Sequence, residues 1–416
     1  MREQHNYRWI VLAASTIINL CVGAIYAFSV FAGPLSEHHG WTLGQVMIAF
    51  SINAAIAPIP MILGGRILDK GGAKWSIMTG GALFGIGFML TGYVTSPLAL
   101  YLSYGILCGL GQGIAYSGTL GNTVKFFPDK RGLASGIVTA GYGGGTIVAA
   151  PVANYIIENN GVQSAFIYMG TAYAIITVVC ALFVKAAPVG YVPKGWTPPV
   201  QTGGAKNLGR NVHWTEMVRK PMFYVIMILF MIGALSGMMV TSNASVIGQQ
   251  MFGLTAAAAA VYVSVFSLSN CLGRVIWGAV SDKIGRTNTL MFIYAVIGAM
   301  LLVIASVSSE IGFVIAVVGI GACFGGTMGV FPSIVGDKFG MKYYGVNYGI
   351  TFIGYSMAAY FGPRIAVRVS EANNGDFTLA FYIAFAFSLL GIALTLIFKR
   401  MEKKEKMPVQ STTKVA

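Results

Sequence analysis

The sequence predicts an all-α integral membrane fold of twelve transmembrane helices. Three observations carry that prediction: composition, the recurrence of long apolar runs, and the sidedness of the positive charges. Of the 416 residues, 56% are apolar and only 10% are charged. A soluble domain carries roughly 25% charged residues, so a water-facing fold of this chain would lack polar surface. Glycine supplies 54 residues, about twice its usual share. Small residues let helices approach closely in lipid, where no hydrophobic force draws them together.

A helix needs about 20 apolar residues to cross a hydrocarbon core of ~30 Å. Runs of that length recur at 9–33, 43–65, 75–95, 98–123, 132–156 and 163–184. They resume at 221–245, 256–280, 287–307, 311–335, 344–366 and 377–398. Lys and Arg are retained on the cytoplasmic side of a membrane. Here 24 of the 27 fall in one alternating set of segments, counted with the 185–220 stretch and the tail. The opposite set holds only Arg364 and Arg368, and the remaining cation, Arg274, lies within a span. Both termini are therefore expected in the cytoplasm of a multi-pass protein of the cell membrane, whether a bacterial inner membrane or a plasma membrane. The formal net charge of +14 reads as a retention signal with some attraction to anionic lipid, so lipid is an expected partner and nucleic acid is not. The first apolar run is too long for a cleavable signal peptide. Cys21, Cys108, Cys180, Cys271 and Cys323 all fall inside apolar runs without metal-ligand spacing. Neither a disulfide framework nor a metal or cofactor is expected.

The stretch 185–220, with Pro188, Pro193, Pro198, Pro199, Gly203 and Gly204, is the one long polar break between the first and last spans. It divides the chain into an N-terminal six-helix bundle (1–184), a cytoplasmic linker (185–220), a C-terminal six-helix bundle (221–398) and a basic cytoplasmic tail (399–416). An internal repeat supports the division. Gly65, Asp69, Lys70 and Gly72 follow the second span, and Gly278, Asp282, Lys283 and Gly285 follow the eighth; both sets spell Gly-x-x-x-Asp-Lys-x-Gly. The fourth span carries Gly105, Gly109 and Gly113, and the tenth carries Gly321, Gly325 and Gly329. Parallel six-helix repeats with a midplane site between them suit alternating access. The paired loop motifs resemble the signature between the second and third helices of the major facilitator superfamily, which implies that family's fold. In that family the Asp caps a neighbouring helix and helps lock one conformational state, so the resemblance implies a gating role for Asp69 and Asp282.

The spans hold almost no ionisable groups: every Asp, Glu and His lies in a loop, in a tail or at a span end. Arg274 is the exception, and a charge placed there costs several kcal/mol unless something compensates it. It shares a helical face with Asn270 and Ser267. A guanidinium holds a carboxylate through two parallel hydrogen bonds. With no intramembrane acid to neutralise Arg274, the expected counter-ion is an anionic cargo. The alternative is an arginine that snorkels to the interface and pairs with Asp282, two turns further on. Tyr26, Tyr116, Tyr142 and Tyr355 sit mid-span, where a buried hydroxyl needs a partner. Each serves equally well as a packing residue bonded to a backbone carbonyl or as a cargo contact.

Residues 126–136, Phe-Phe-Pro-Asp-Lys-Arg-Gly-Leu-Ala-Ser-Gly, continue through Ala140-Gly141-Tyr142-Gly143. This stretch resembles the fifth-helix signature of the monocarboxylate transporters and of the bacterial oxalate:formate antiporter group. The resemblance covers the whole chain and includes Arg274 with Val275-Ile276-Trp277-Gly278, Phe331-Pro332-Ser333 and Asn347-Tyr348-Gly349. It implies that Arg274 binds the substrate carboxylate and that Tyr26, Tyr116 and Tyr142 are aromatic pocket positions. Three departures matter. The antiporter's second pocket cation, a lysine on its eleventh helix, is replaced by Tyr355. The acid that animal monocarboxylate transporters place one turn before their arginine is Asn270, which cannot titrate. Their first-helix Asp-Gly signature and its nearby lysine are absent. One arginine matches one carboxylate, because an unpaired buried charge is costly. The expectation is therefore a carrier of small monocarboxylates such as lactate or pyruvate, with proton symport implied by resemblance and a monomer as its state. An oxalate:formate-type antiporter is the alternative.

Other classes fit less well. A nitrate/nitrite carrier, suggested by Gly143-Gly144-Gly145, would need a second arginine in the second span, which has none before Arg66. Sugar porters line their sites with amides and acids that are too few here. A membrane sensor would need a signalling domain, for which a tail of roughly 18 residues is too short. No span holds a paired nucleophile and base or a His/Asp/Glu cluster, so no catalytic residue is expected.

Overall fold

Helix ends follow local chemistry more closely than they follow apolarity. The computed structural model describes residues 2–188, 190–197, 211–307 and 309–406. Positions 198–204 of the expected linker, Lys206, Arg210 and the tail from 407 onward lie outside the described residues. α1 begins as Arg2–Gly23, tightens into a 3-10 turn at Ala24–Ala27 and continues as Phe28–His39. It outlasts the apolar run because its stop is Gly40, in the left-handed region at φ 68°, whose N–H donates to the Ser36 carbonyl. α2 opens on a reciprocal capping box between Thr42 and Gln45. It comprises Leu43–Ile56 and Pro58–Asp69, bent by 43° where Pro58 withholds an N–H. α3 is Ala73–Thr91, and α4 joins Pro97–Leu100, a π-helical stretch Tyr101–Cys108 and Gly109–Phe126. The continuous helix Arg131–Leu182 breaks at Gly161, at φ 81°, a conformation only glycine adopts cheaply; α5 precedes the break and α6 follows it.

The second half repeats the pattern. α7 is Pro221–Phe252, α8 Ala256–Ile284, α9 Arg286–Ser306 and α10 Glu310–Phe339. α11 comprises Tyr344–Thr351 and Ile353–Ala372, and α12 is Thr378–Lys406. The last helix runs past residue 398 because Lys, Arg, Glu and Met are good helix formers. Among the described residues, nine helices are long and apolar enough to cross a membrane, and the bent pair in α2 makes ten. Dividing Arg131–Leu182 at Gly161 and counting α11 brings the crossings to twelve, with no strand among the described residues.

The start of α1 and the end of α12 lie at one end of the bundle, hereafter the basic end. There Arg8 of α1 pairs with Asp129 at 2.9 Å, Lys338 of α10 with Glu402 of α12 at 2.6 Å, and Arg131 of α5 with Asp337 of α10 at 2.5 Å. At the same end the halves meet through two glycine crossings. A Cβ added to Gly65 of α2 would run into the Gly345 backbone of α11, and one added to Gly132 of α5 would run into the Gly278 carbonyl of α8. Such contacts need residues without side chains. The segment between the halves is tied down at both ends. The Ala187 N–H donates to Asn122 Oδ1 on α4 at 2.9 Å. On the other side, Asn347 Nδ2 of α11 donates to the Val212 carbonyl at 2.9 Å.

Candidate functional site

Arg274 sits two-thirds along α8, gripped by glycines on two neighbours. A Cβ on Gly325 of α10 would strike the Asn270 carbonyl, and one on Gly329 of α10 or Gly136 of α5 would strike the Arg274 carbonyl. Gly143, two turns along α5, leaves the slot that the guanidinium fills, since a Cβ there would lie 2.8 Å from Cζ. The side chain is 5% exposed. Its Nε donates to Asn270 Oδ1 at 3.0 Å, and its Nη1 donates across the interface between halves to the Thr139 carbonyl of α5 at 2.7 Å. Two of its five N–H donors are thereby committed, which leaves three. Asn270 Nδ2 is buried without a partner. Among the described residues no carboxylate pairs with Arg274. The snorkelling alternative does not describe this geometry, because Asp282 is committed to Gly132, Leu133 and Arg286.

The four tyrosines expected from sequence form one connected group. Tyr116 of α4 packs on Tyr142 of α5 with ring centroids 4.8 Å apart, and Tyr142 packs edge-on against Tyr26 of α1 at 5.4 Å. The Tyr26 hydroxyl meets the Tyr355 hydroxyl of α11 at 3.3 Å, which joins the two halves above the pocket. Tyr26 is the exposed member, on the 3-10 turn of α1. Tyr142 donates its single proton to Gln112 Oε1 of α4 at 2.7 Å, and Gln112 Nε2 donates in turn to Asn53 Oδ1 of α2. Tyr142 therefore offers a ligand acceptor lone pairs in this conformation, whereas Tyr116 keeps a buried hydroxyl with no partner. Ala57, Met61, Gln112, Gly113, Tyr116, Tyr142, Met328 and Phe352 enclose a cavity of about 20 Å³, room for about one water. The pocket is collapsed onto its own side chains.

Gln112, Asn53 and Phe352 were not singled out from the sequence. The signal for the first two was present, since both are polar residues in the middle of apolar spans. Phe352 gave no signal, because an apolar residue in an apolar helix has nothing to distinguish it.

Asp69 and Asp282 occupy mirrored places at the basic end. The Asp282 carboxylate accepts from the N–H groups of Gly132 and Leu133, both at 2.9 Å, and pairs with Arg286 at 2.7 Å. Asp69 accepts from the N–H groups of Gly345 and Val346, both at 3.0 Å, with Lys125 at 3.6 Å. Each Asp closes the last turn of a helix in one half and caps the first turn of a helix in the other. The motif glycine one turn earlier, Gly65 or Gly278, is the residue at which those two helices touch. Asp337 adds a further tie, accepting from Arg131 of the first half at 2.5 Å and from Arg286 of its own half at 3.1 Å.

Known proteins share this architecture. Residues 12–363 match the family model of the Major Facilitator Superfamily. The chain is 30% identical over 410 residues to the oxalate:formate antiporter of Oxalobacter formigenes, covering 97% of this chain and 94% of that protein. It is 24% identical over 388 residues to monocarboxylate transporter 13 of Rattus norvegicus, covering 92% of this chain and 86% of that one. In fold it is similar to the proton:xylose symporter XylE, at a TM-score of 0.75 and 13% identity over 94% of this chain and 96% of that one. With two six-helix repeats, paired Gly-x-x-x-Asp motifs and a family match over most of its length, the chain belongs to the major facilitator superfamily.

Proposed function

We propose that the protein is a secondary active transporter of small monocarboxylates, of the lactate and pyruvate type, which moves its cargo with a proton by alternating access. The observation that carries this reading is Arg274, a guanidinium buried between the halves with no carboxylate beside it among the described residues. A cargo carboxylate supplies the missing charge, Asn270 orients the guanidinium, and Tyr26, Tyr116, Tyr142 and Tyr355 close around the bound anion. Neutralising Arg274 lowers the cost of enclosing it, so loaded and empty carriers cross different barriers. The similarity to an oxalate:formate antiporter and to a monocarboxylate transporter supports the cargo class. Retention of Lys and Arg assigns the basic end and both termini to the cytoplasm. In this reading Asp69 and Asp282 hold that end shut, and the structure is the form closed to the cytoplasm.

A second reading, exchange of one organic anion for another, is favoured by Asn270. It stands one turn from Arg274 and does not titrate, and exchange requires no titrating group. Uptake of labelled L-lactate by proteoliposomes, with and without an imposed proton gradient and with oxalate as competitor, separates the two. Gradient-stimulated uptake that resists oxalate is the expected result. Strong oxalate competition with uptake that depends on internal anion and ignores the gradient would establish exchange. Carriage of neither acid would overturn the carboxylate reading.

A further inference from the structure

Three tyrosine hydroxyls are buried in the interface between halves with no hydrogen bond: Tyr116, Tyr348 and Tyr344. Their side chains are 3%, 1% and 1% exposed. Native proteins rarely leave such groups unpaired, and each one needs an explanation. Other buried tyrosines here have partners: Tyr104 donates to the Ile25 carbonyl at 2.8 Å and Tyr294 to the Leu229 carbonyl at 2.6 Å. The unpaired three differ in position. Tyr116 lines the collapsed cavity, and its hydroxyl lies beside that of Tyr348 without hydrogen-bond geometry. Tyr348 and Tyr344 are one turn apart on the short first arm of α11, with parallel rings 5.9 Å apart. Tyr344 lies within electrostatic reach of Arg131, Asp69 and Asp337, the ties at the basic end. The hydroxyls thus run as a ladder from the tyrosine-lined cavity, where Tyr116 is within electrostatic reach of Arg274, to the basic end.

The arm that carries the ladder is the one that must move. Its first turn is capped by Asp69 from the other half, and its Gly345 touches Gly65 there. The Tyr344 ring lies against Gly121 of α4 in the other half and Gly336 of α10, and Tyr348 lies beside Tyr116 of α4, so parting the halves at α2 and α11 would uncover both. Separation has a second consequence for charge. Asp337 keeps Arg286, which belongs to its own half, while Arg131 leaves with the other half and loses its acid. The mouth that opens is therefore lined by a freed guanidinium and by hydroxyl donors.

We propose that Tyr348 and Tyr344, with Arg131 at the mouth, form an inner carboxylate station that the cargo occupies between the Arg274 pocket and the basic end. The proposal rests on the carboxylate reading above. The hydroxyls are left without partners in the closed form because their partner is an anion in transit in the open form.

The test uses the full-length protein in sealed vesicles sorted by whether the basic end faces outward, with labelled L-lactate and labelled oxalate as probes. Tyr344→Phe and Tyr348→Phe are each expected to raise the half-saturating concentration about 10- to 150-fold for anion presented at the basic end, the loss of one hydrogen bond to a charged group. Half-saturation from the opposite face is expected to stay at the wild-type value. Removing a hydroxyl that has no partner should also leave the melting temperature of the anion-free protein unlowered, whereas Tyr294→Phe, which loses a formed bond, should lower it. Equal change at both faces, no change at either, or a melting temperature that falls as it does for Tyr294→Phe would overturn the inner station. Failure of the wild type to carry either acid would instead remove the carboxylate reading, and this inference with it.

Discussion

At the scale of single residues, the site is built from what is left out as much as from what is present. Arg274 reaches the interface because four positions around its turn are glycine: Gly136 and Gly143 on α5, Gly325 and Gly329 on α10. Its Nε is held by Asn270 at 3.0 Å, so the planar group is fixed before any cargo arrives. Arg274→Ala should therefore abolish uptake, with binding weakened at least 100-fold. The loss of one member of a buried charge pair is about 3–5 kcal/mol. Melting temperature should hold near the wild-type value, since the arginine is an uncompensated charge in the empty protein. Wild-type uptake by this variant would refute the assignment. Tyr355 is a residue where chemistry and place coincide: 8% exposed, on the second half, its hydroxyl 3.3 Å from that of Tyr26. A lysine there would add the second positive charge that a dicarboxylate requires. Tyr355→Lys is expected to gain oxalate affinity by roughly tenfold, at about 1.4 kcal/mol per decade, read by calorimetry on purified protein; unchanged oxalate binding would refute the charge-matching argument.

At the scale of elements, three helices lose regularity at the level of the site. α1 tightens into a 3-10 turn that includes Tyr26, α2 bends between Ile56 and Pro58 beside the cavity wall at Ala57, and α11 breaks at Phe352. Irregular backbone at membrane depth is tolerated where it lines a cavity or is buried in protein. The crossing of α2 and α11 shows the opposite economy. Gly65 and Gly345 bring the two backbones into direct contact, and the Asp69 cap follows one turn later. Gly65→Ala places a methyl against the Gly345 carbonyl. Overpacking of this kind costs about 1–3 kcal/mol, charged only to the form in which the helices touch. The variant should spend more time open at the basic end, seen as longer spin-label distances between the ends of α2 and α11. Unchanged distances would mean the crossing has slack that the structure does not show.

At the scale of the molecule, closure of the basic end is a two-fold arrangement. Asp69 and Asp282 each cap a helix of the opposite half, and among the described residues the two caps share no partner. Sites without a shared partner add. Replacing a helix cap by alanine costs about 1 kcal/mol, so Asp69→Ala and Asp282→Ala should each shift closure roughly fivefold and the double variant roughly 25-fold. The same distance measurement reads this, and a double variant no more open than either single one would show that one cap suffices. The ties around Asp337 set a limit, because Arg131 and Arg286 still share that carboxylate when both caps are weakened.

Much of this was legible in the one-dimensional pattern. Twelve crossings, two repeats, the lone intramembrane cation and the paired Gly-x-x-x-Asp motifs all follow from rules that need no neighbours: length against bilayer thickness, charge against lipid, and repetition of a spacing. Helix ends were less legible, because Gly40 and Lys406 stop or extend a helix for reasons of backbone conformation and propensity rather than apolarity. Tertiary structure decided the rest. It chose which oxygen Arg274 takes, Thr139 on α5 rather than Asp282 on its own helix, because only packing sets the direction of a long side chain. It recruited Gln112 and Asn53 to Tyr142, and it placed Tyr344 and Tyr348 between the halves with no partner. The sequence determined which groups are costly to bury; the fold alone determined which of them were left unpaired, because a hydrogen bond depends on distances between residues that the chain order keeps far apart.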